Sequence, residues 1–112
     1  VDDYTGTTPS VIKILGETHD VDSWADALTV GVATILRDVD DHERIKEVSG
    51  RKRTYFVEGG QQSELVKPRR IPDSNLYVET NFSANDCVRK IEQVMAKYGY
   101  DKAELEIFTE ET

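Results

Sequence analysis

"SANDCVRKIEQVMAKYGY", residues 83–100, decides the fold. Ser83 suits a helix N-cap, and Asp86 stands three residues on. Ala84, Cys87, Val88, Ile91, Val94, Met95 and Tyr98 recur at helical spacing, and Gly99 supplies a left-handed stop. One face of this helix must be buried. "NLYVET" (75–80) runs into it as a strand, with Leu76 and Val78 on one face and Tyr77 and Glu79 on the other. After the helix, "AELEIF" (103–108) alternates Leu105 and Ile107 against Glu104 and Glu106, the pattern of a half-exposed strand.

Upstream, "DSWADALTVGVATILRDV" (22–39) repeats the helical pattern through Trp24, Leu28, Val32, Ile35, Leu36 and Val39, with Ser23 as its cap. "VIKILGETHDV" (11–21) reads as strands over Val11–Leu15 and Thr18–Val21, with Gly16 at the first position of a two-residue turn. "DDHERIKEV" (40–48) continues as a short second helix stopped by Gly50, and "TYFV" (54–57) is a strand. A loop then runs to about Asn75, where Pro68 and Pro72 argue against a helix. The order is β-β-α-(α)-β-β-α-β. That predicts an α+β domain, a small, mostly antiparallel sheet with two main helices on one face. Residues 1–10 read as a flexible linker, 11–109 as one domain and 110–112 as a tail.

The chain has 112 residues, 38% hydrophobic and 32% charged, which suits one soluble domain. No apolar run nears the roughly 18 residues that cross a bilayer, so no membrane association is expected. The single cysteine, Cys87, forms no internal disulfide and fits a reducing compartment, with the cytoplasm as the default. No secretory leader is recognised in "VDDYTGTTPS".

Catalytic signatures are missing. Neither glycine-rich phosphate loop occurs, so no cofactor is assigned. His19 and His42 lie on different elements, and the acids of "DVDDHE" (38–43) suit a solvated helix start, so no metal is assigned. Cys87 falls on the apolar stripe as a small buried side chain. A restriction-type nuclease core would need a lysine shortly after Glu79, where Thr80 and Asn81 stand instead. The expectation is a protein that is not an enzyme.

One segment departs from the acidic character of the rest. The formal net charge is −8, yet residues 51–70 hold six Lys and Arg against two Asp and Glu. That is +4 in the segment and −12 elsewhere. Arg51, Lys52, Arg53, Lys67, Arg69 and Arg70 flank a strand and a loop, with Tyr55, Phe56 and Tyr77 nearby. Cations beside aromatic rings are the mix used to hold phosphates and stack bases, and Arg51, Lys52, Arg53, Lys67, Arg69, Arg70, Tyr55 and Tyr77 are the candidate nucleic-acid contacts. The alternative is a protein-protein or oligomerisation module in which the same loop meets an acidic partner. The loop centre, Gly59 to Gln62, has nothing apolar to bury and is expected to be mobile until a ligand orders it, so the isolated domain should bind weakly.

"GRKRTYF" (50–56), "KPRRIPDSNLYVETNFSAN" (67–85) and "KYGYD" (97–101) resemble a small C-terminal accessory domain of restriction-like and phage-defence-associated proteins. The resemblance covers roughly residues 9–108. It implies an accessory module beside a parent enzyme domain in a nucleic-acid-handling protein, and it transfers no catalytic residue.

Overall fold

A computed structural model describes residues 4–48 and 54–111. Strands β1 (Thr7–Ile14) and β2 (Glu17–Asp20) lead into helix α1 (Trp24–Asp38) and a 3₁₀ turn (Glu43–Glu47). Strands β3 (Phe56–Glu58), β4 (Pro68–Arg70) and β5 (Leu76–Glu79) follow, then helix α2 (Ala84–Lys97) and strand β6 (Leu105–Glu111). The α+β class and the interleaved order agree with expectation. The sheet, however, is split: β2-β1-β6 form one antiparallel three-stranded sheet and β3-β5-β4 another.

Both sheets lean on one core. Ile12 and Ile14 from β1, Leu28, Val32 and Ile35 from α1, Phe56 and Val78 from the second sheet, and Ile91, Val94 and Met95 from α2 belong to a single buried cluster. The helices supply its middle because their apolar residues recur every three to four positions, as the sequence pattern demands. At Gly31 both β1 and α2 approach α1 closely: a Cβ there would lie 3.3 Å from Ile12 Cδ1 and 3.4 Å from Ile91 Cδ1. Both helices begin as expected. Ser23 Oγ accepts from Asp26 N at 3.0 Å and Ser83 Oγ from Asp86 N at 3.3 Å, satisfying an amide with no intrahelical partner. Gly99 ends α2 with φ +82°.

Four local expectations change. Strand β1 starts at Thr7 rather than Val11, because Thr7, Thr8 and Pro9 pair with Glu111, Glu110 and Thr109 of β6. Trp24 Nε1 also donates to Thr7 O at 2.9 Å, and its ring meets Tyr4 edge-on. The β1–β2 turn has Leu15 and Gly16 as its central pair, at φ +51° and +82°, so Gly16 occupies the second position and Leu15 is the left-handed residue before it. The segment Asp40–Val48 forms a 3₁₀ turn, not an α-helix, and the expected stop at Gly50 lies outside the described residues. Finally, the long loop contains β4. Pro68 can open that strand because an edge strand's first residue does not have to donate.

Candidate nucleic-acid interface

The second sheet carries the described part of the basic segment. β5 is its centre, paired with β3 (Phe56↔Val78, Val57↔Tyr77) and with β4 (Pro68↔Glu79, Arg69↔Val78, Arg70↔Tyr77). Arg70 therefore stands directly across from Tyr77. Side chains alternate along a strand, so Arg69 and Arg70 leave β4 on opposite faces. Arg69 reaches α1, with Nη1 3.6 Å from Asp26 Oδ1. Arg70 stays beside its own turn, its Nε donating to Ser74 O at 3.1 Å. Lys67, Arg69 and Arg70 are all exposed, and the Arg69–Asp26 pair, half open to water, ties the arginine only loosely. Arg51, Lys52 and Arg53 lie outside the described residues.

Tyr55 and Tyr77 are both half-buried. The Tyr55 ring is already engaged: it meets Phe82 edge-to-face at 5.2 Å, and Lys90 Nζ of α2 lies 4.5 Å from its centre and 5.3 Å from that of Phe82. Phe82 thus packs on Tyr55 at the mouth of α2. The expected mobile centre of the loop is hydrogen-bonded, Gly59 N to Asn75 O at 2.8 Å in continuation of the β3–β5 pairing and Gln61 N to Glu58 O at 3.0 Å, and a short 3₁₀ turn follows at Gln62–Glu64.

Alternation put Glu79 with Tyr77 on the strand face opposite Leu76 and Val78. Glu79 is 3% exposed. Its Oε1 accepts from the backbone amides of Lys67 (2.8 Å), Thr80 (3.0 Å) and Asn81 (3.2 Å), and its Oε2 from that of Val66 (2.8 Å). Burial pushes this carboxyl up, but the four amides outweigh burial and leave it below the ordinary carboxylate value. Thr80 completes the junction, its hydroxyl donating to Lys67 O at 2.6 Å and its amide to the same oxygen at 3.1 Å. Alternation separates Glu79 from Leu76 and Val78, and no local signal announces that a loop twelve residues earlier in the chain returns over it.

The other candidates are structural. Cys87 is fully buried, and burial with the neighbouring Asp86 charge pushes its thiol up to about 11, so it is not poised as a nucleophile. His42 Nε2 donates to Leu36 O (2.7 Å) and Val39 O (3.1 Å), closing the end of α1. Among the described residues no group of three or more His, Cys, Asp or Glu is placed to hold a metal ion, and no helix is long and apolar enough to cross a membrane.

These features define a small α+β domain that displays a basic edge strand beside the mouth of a helix. The family model for the SeqA protein C-terminal domain matches residues 32–111, most of the chain, and the chain belongs to that family. Comparison with curated proteins and with solved structures gave no match. The family overturns the resemblance to an accessory domain of restriction-like and phage-defence-associated proteins. All three blocks that carried that resemblance fall inside the matched region, and they describe a strand, a turn and a helix cap, features of the fold and not of a defence system.

Proposed function

We propose that this is a non-enzymatic, cytoplasmic DNA-binding domain, and that its basic segment faces the phosphates. The observation that carries the reading is the family match, which spans the whole of residues 51–70; SeqA C-terminal domains are DNA-binding. The charge distribution supports it. A +4 segment on a chain that is otherwise −12 concentrates attraction for a polyanion in one stretch of the chain and repels it elsewhere, which favours a defined mode of docking over diffuse adhesion. Arg51, Lys52, Arg53, Lys67, Arg69 and Arg70 are the proposed phosphate contacts. Tyr77, across from Arg70, and Tyr55, beside Phe82, shape the surface between them. No restriction or defence partner and no parent enzyme domain enters this reading.

Titration of labelled duplexes against salt tests it, with a hemimethylated GATC duplex included because SeqA proteins bind that site. Log affinity should fall with log salt at about −0.9 per phosphate contacted. Arg69→Glu with Arg70→Glu should flatten that slope by about one unit for each phosphate no longer engaged. Failure to bind any duplex at low salt would reject DNA as the ligand and turn attention to an acidic protein partner for the same edge.

A further inference from the structure

Glu79 is unusual in its chemistry. A carboxylate buried to 3% exposure has, among the described residues, no Lys or Arg within ion-pair distance, and its charge is balanced by four backbone amides. Two of these amides belong to Val66 and Lys67, just before β4, and two to Thr80 and Asn81, just after β5. An apolar side chain of similar size would fill the space but leave the amides of Val66, Lys67 and Asn81 without their acceptor, Thr80 alone keeping a bond to Lys67 O, and a buried donor left unpaired costs about 1–3 kcal/mol. Pro68, directly across from Glu79, costs the ladder no bond: the Glu79 amide donates to Tyr55 O on the β3 side, and β4 and β5 meet through Thr80 N to Lys67 O at 3.1 Å and Ile71 N to Leu76 O at 2.8 Å.

We propose that Glu79 is a positioning residue for DNA binding: its carboxylate clasps the start of β4 to the end of β5 and so fixes where Lys67, Arg69 and Arg70 stand on the domain. The inference rests on the DNA-binding reading above. β4 has only three residues, with exposed side chains at Arg69 and Arg70; the fully buried Ile71 anchors its far end, while its start, after the exposed Val66 and Lys67, has no such apolar anchor. Without the clasp its cations sample many positions, and ordering them on a duplex consumes part of the binding energy. With it, the strand meets the phosphates already aligned.

Glu79→Gln keeps the shape of the side chain, removes its charge and turns an NH₂ toward amides that need an acceptor. Its DNA affinity should fall about tenfold, the scale of a missing charged hydrogen bond, and its salt slope should shrink because fewer phosphates are engaged at once. Cys87→Ala, a buried change in α2 away from this junction, should lower stability while leaving affinity and slope as in the parent protein. If Glu79→Gln does not fold, as circular dichroism would report, Glu79→Asp replaces it: charge kept and reach shortened should give a smaller loss of both affinity and slope. Unchanged affinity, or weaker binding with an unchanged slope, overturns the positioning role while the DNA-binding reading stands. A parent protein that binds no duplex overturns both.

Discussion

The two sheets are held by different means. In β2-β1-β6 the strands pair over long registers, seven positions between β1 and β6, and Ile12 and Ile14 lie fully buried beneath them. In β3-β5-β4 each ladder has three pairs, and the outer strand β4 is secured by acceptors on Glu79 and by Lys67 O receiving Thr80. The first sheet is fixed by apolar burial and a long ladder; the second also buries Phe56 and Val78, but its outer strand is held by converging polar groups at a junction. The first kind tolerates a change of polar neighbours and fails when volume is removed; the second fails when one acceptor is taken away, although little volume changes.

Removing volume tests the first half. Ile12→Ala should cost about 2–5 kcal/mol in denaturant unfolding, with fluorescence and circular dichroism changing together because the sheets share one core. Separate transitions for the two sheets would break the comparison by showing that they are independent. Removing an acceptor tests the second half. Glu79→Gln should cost about 1–3 kcal/mol at neutral pH, with amide exchange accelerated first at Val66, Lys67, Thr80 and Asn81.

Acid should expose the same difference. The Glu79 carboxyl lies below its unfolded value, so the stability it contributes is fully present above the ordinary carboxylate pKa and is lost as pH falls through the depressed one. The parent protein should therefore lose stability more steeply than Glu79→Gln as pH drops below about 4.5. Parallel curves would mean that the charge contributes nothing. The smallest effect belongs to the helix mouth: Ser83→Ala should cost about 1 kcal/mol by orphaning the Asp86 amide.

The same contrast explains what could be read in advance. Both helices and their serine caps follow from periodicity and from a Ser three residues before an Asp, signals contained within a few residues. Strands β1, β5 and β6 were visible for the same reason. The split into two sheets was not, because it depends on β6 returning about a hundred residues later to pair with Thr7 and Thr8, a choice no local pattern encodes. Strand β4 was hidden by Pro68, which reads as a breaker until its place at a sheet edge is known. Of the candidate contacts, Arg69 and Arg70 read as loop residues, and that they stand on a strand beside Tyr77, and on which faces, depended on the β4–β5 register. Glu79 escaped detection because alternation describes a strand with one face in water, and here a returning loop covers the second face.

Cys87 gives the domain a built-in clock. It is the chain's one thiol, it is fully buried within the shared core, and its proton is held up to about 11, so a thiol reagent in neutral buffer has to wait for the structure to open. The labelling rate then counts openings of α2 away from the core directly, with no mutation and no added probe. DNA bound across the second sheet would slow that clock only to the extent that it holds the whole molecule closed.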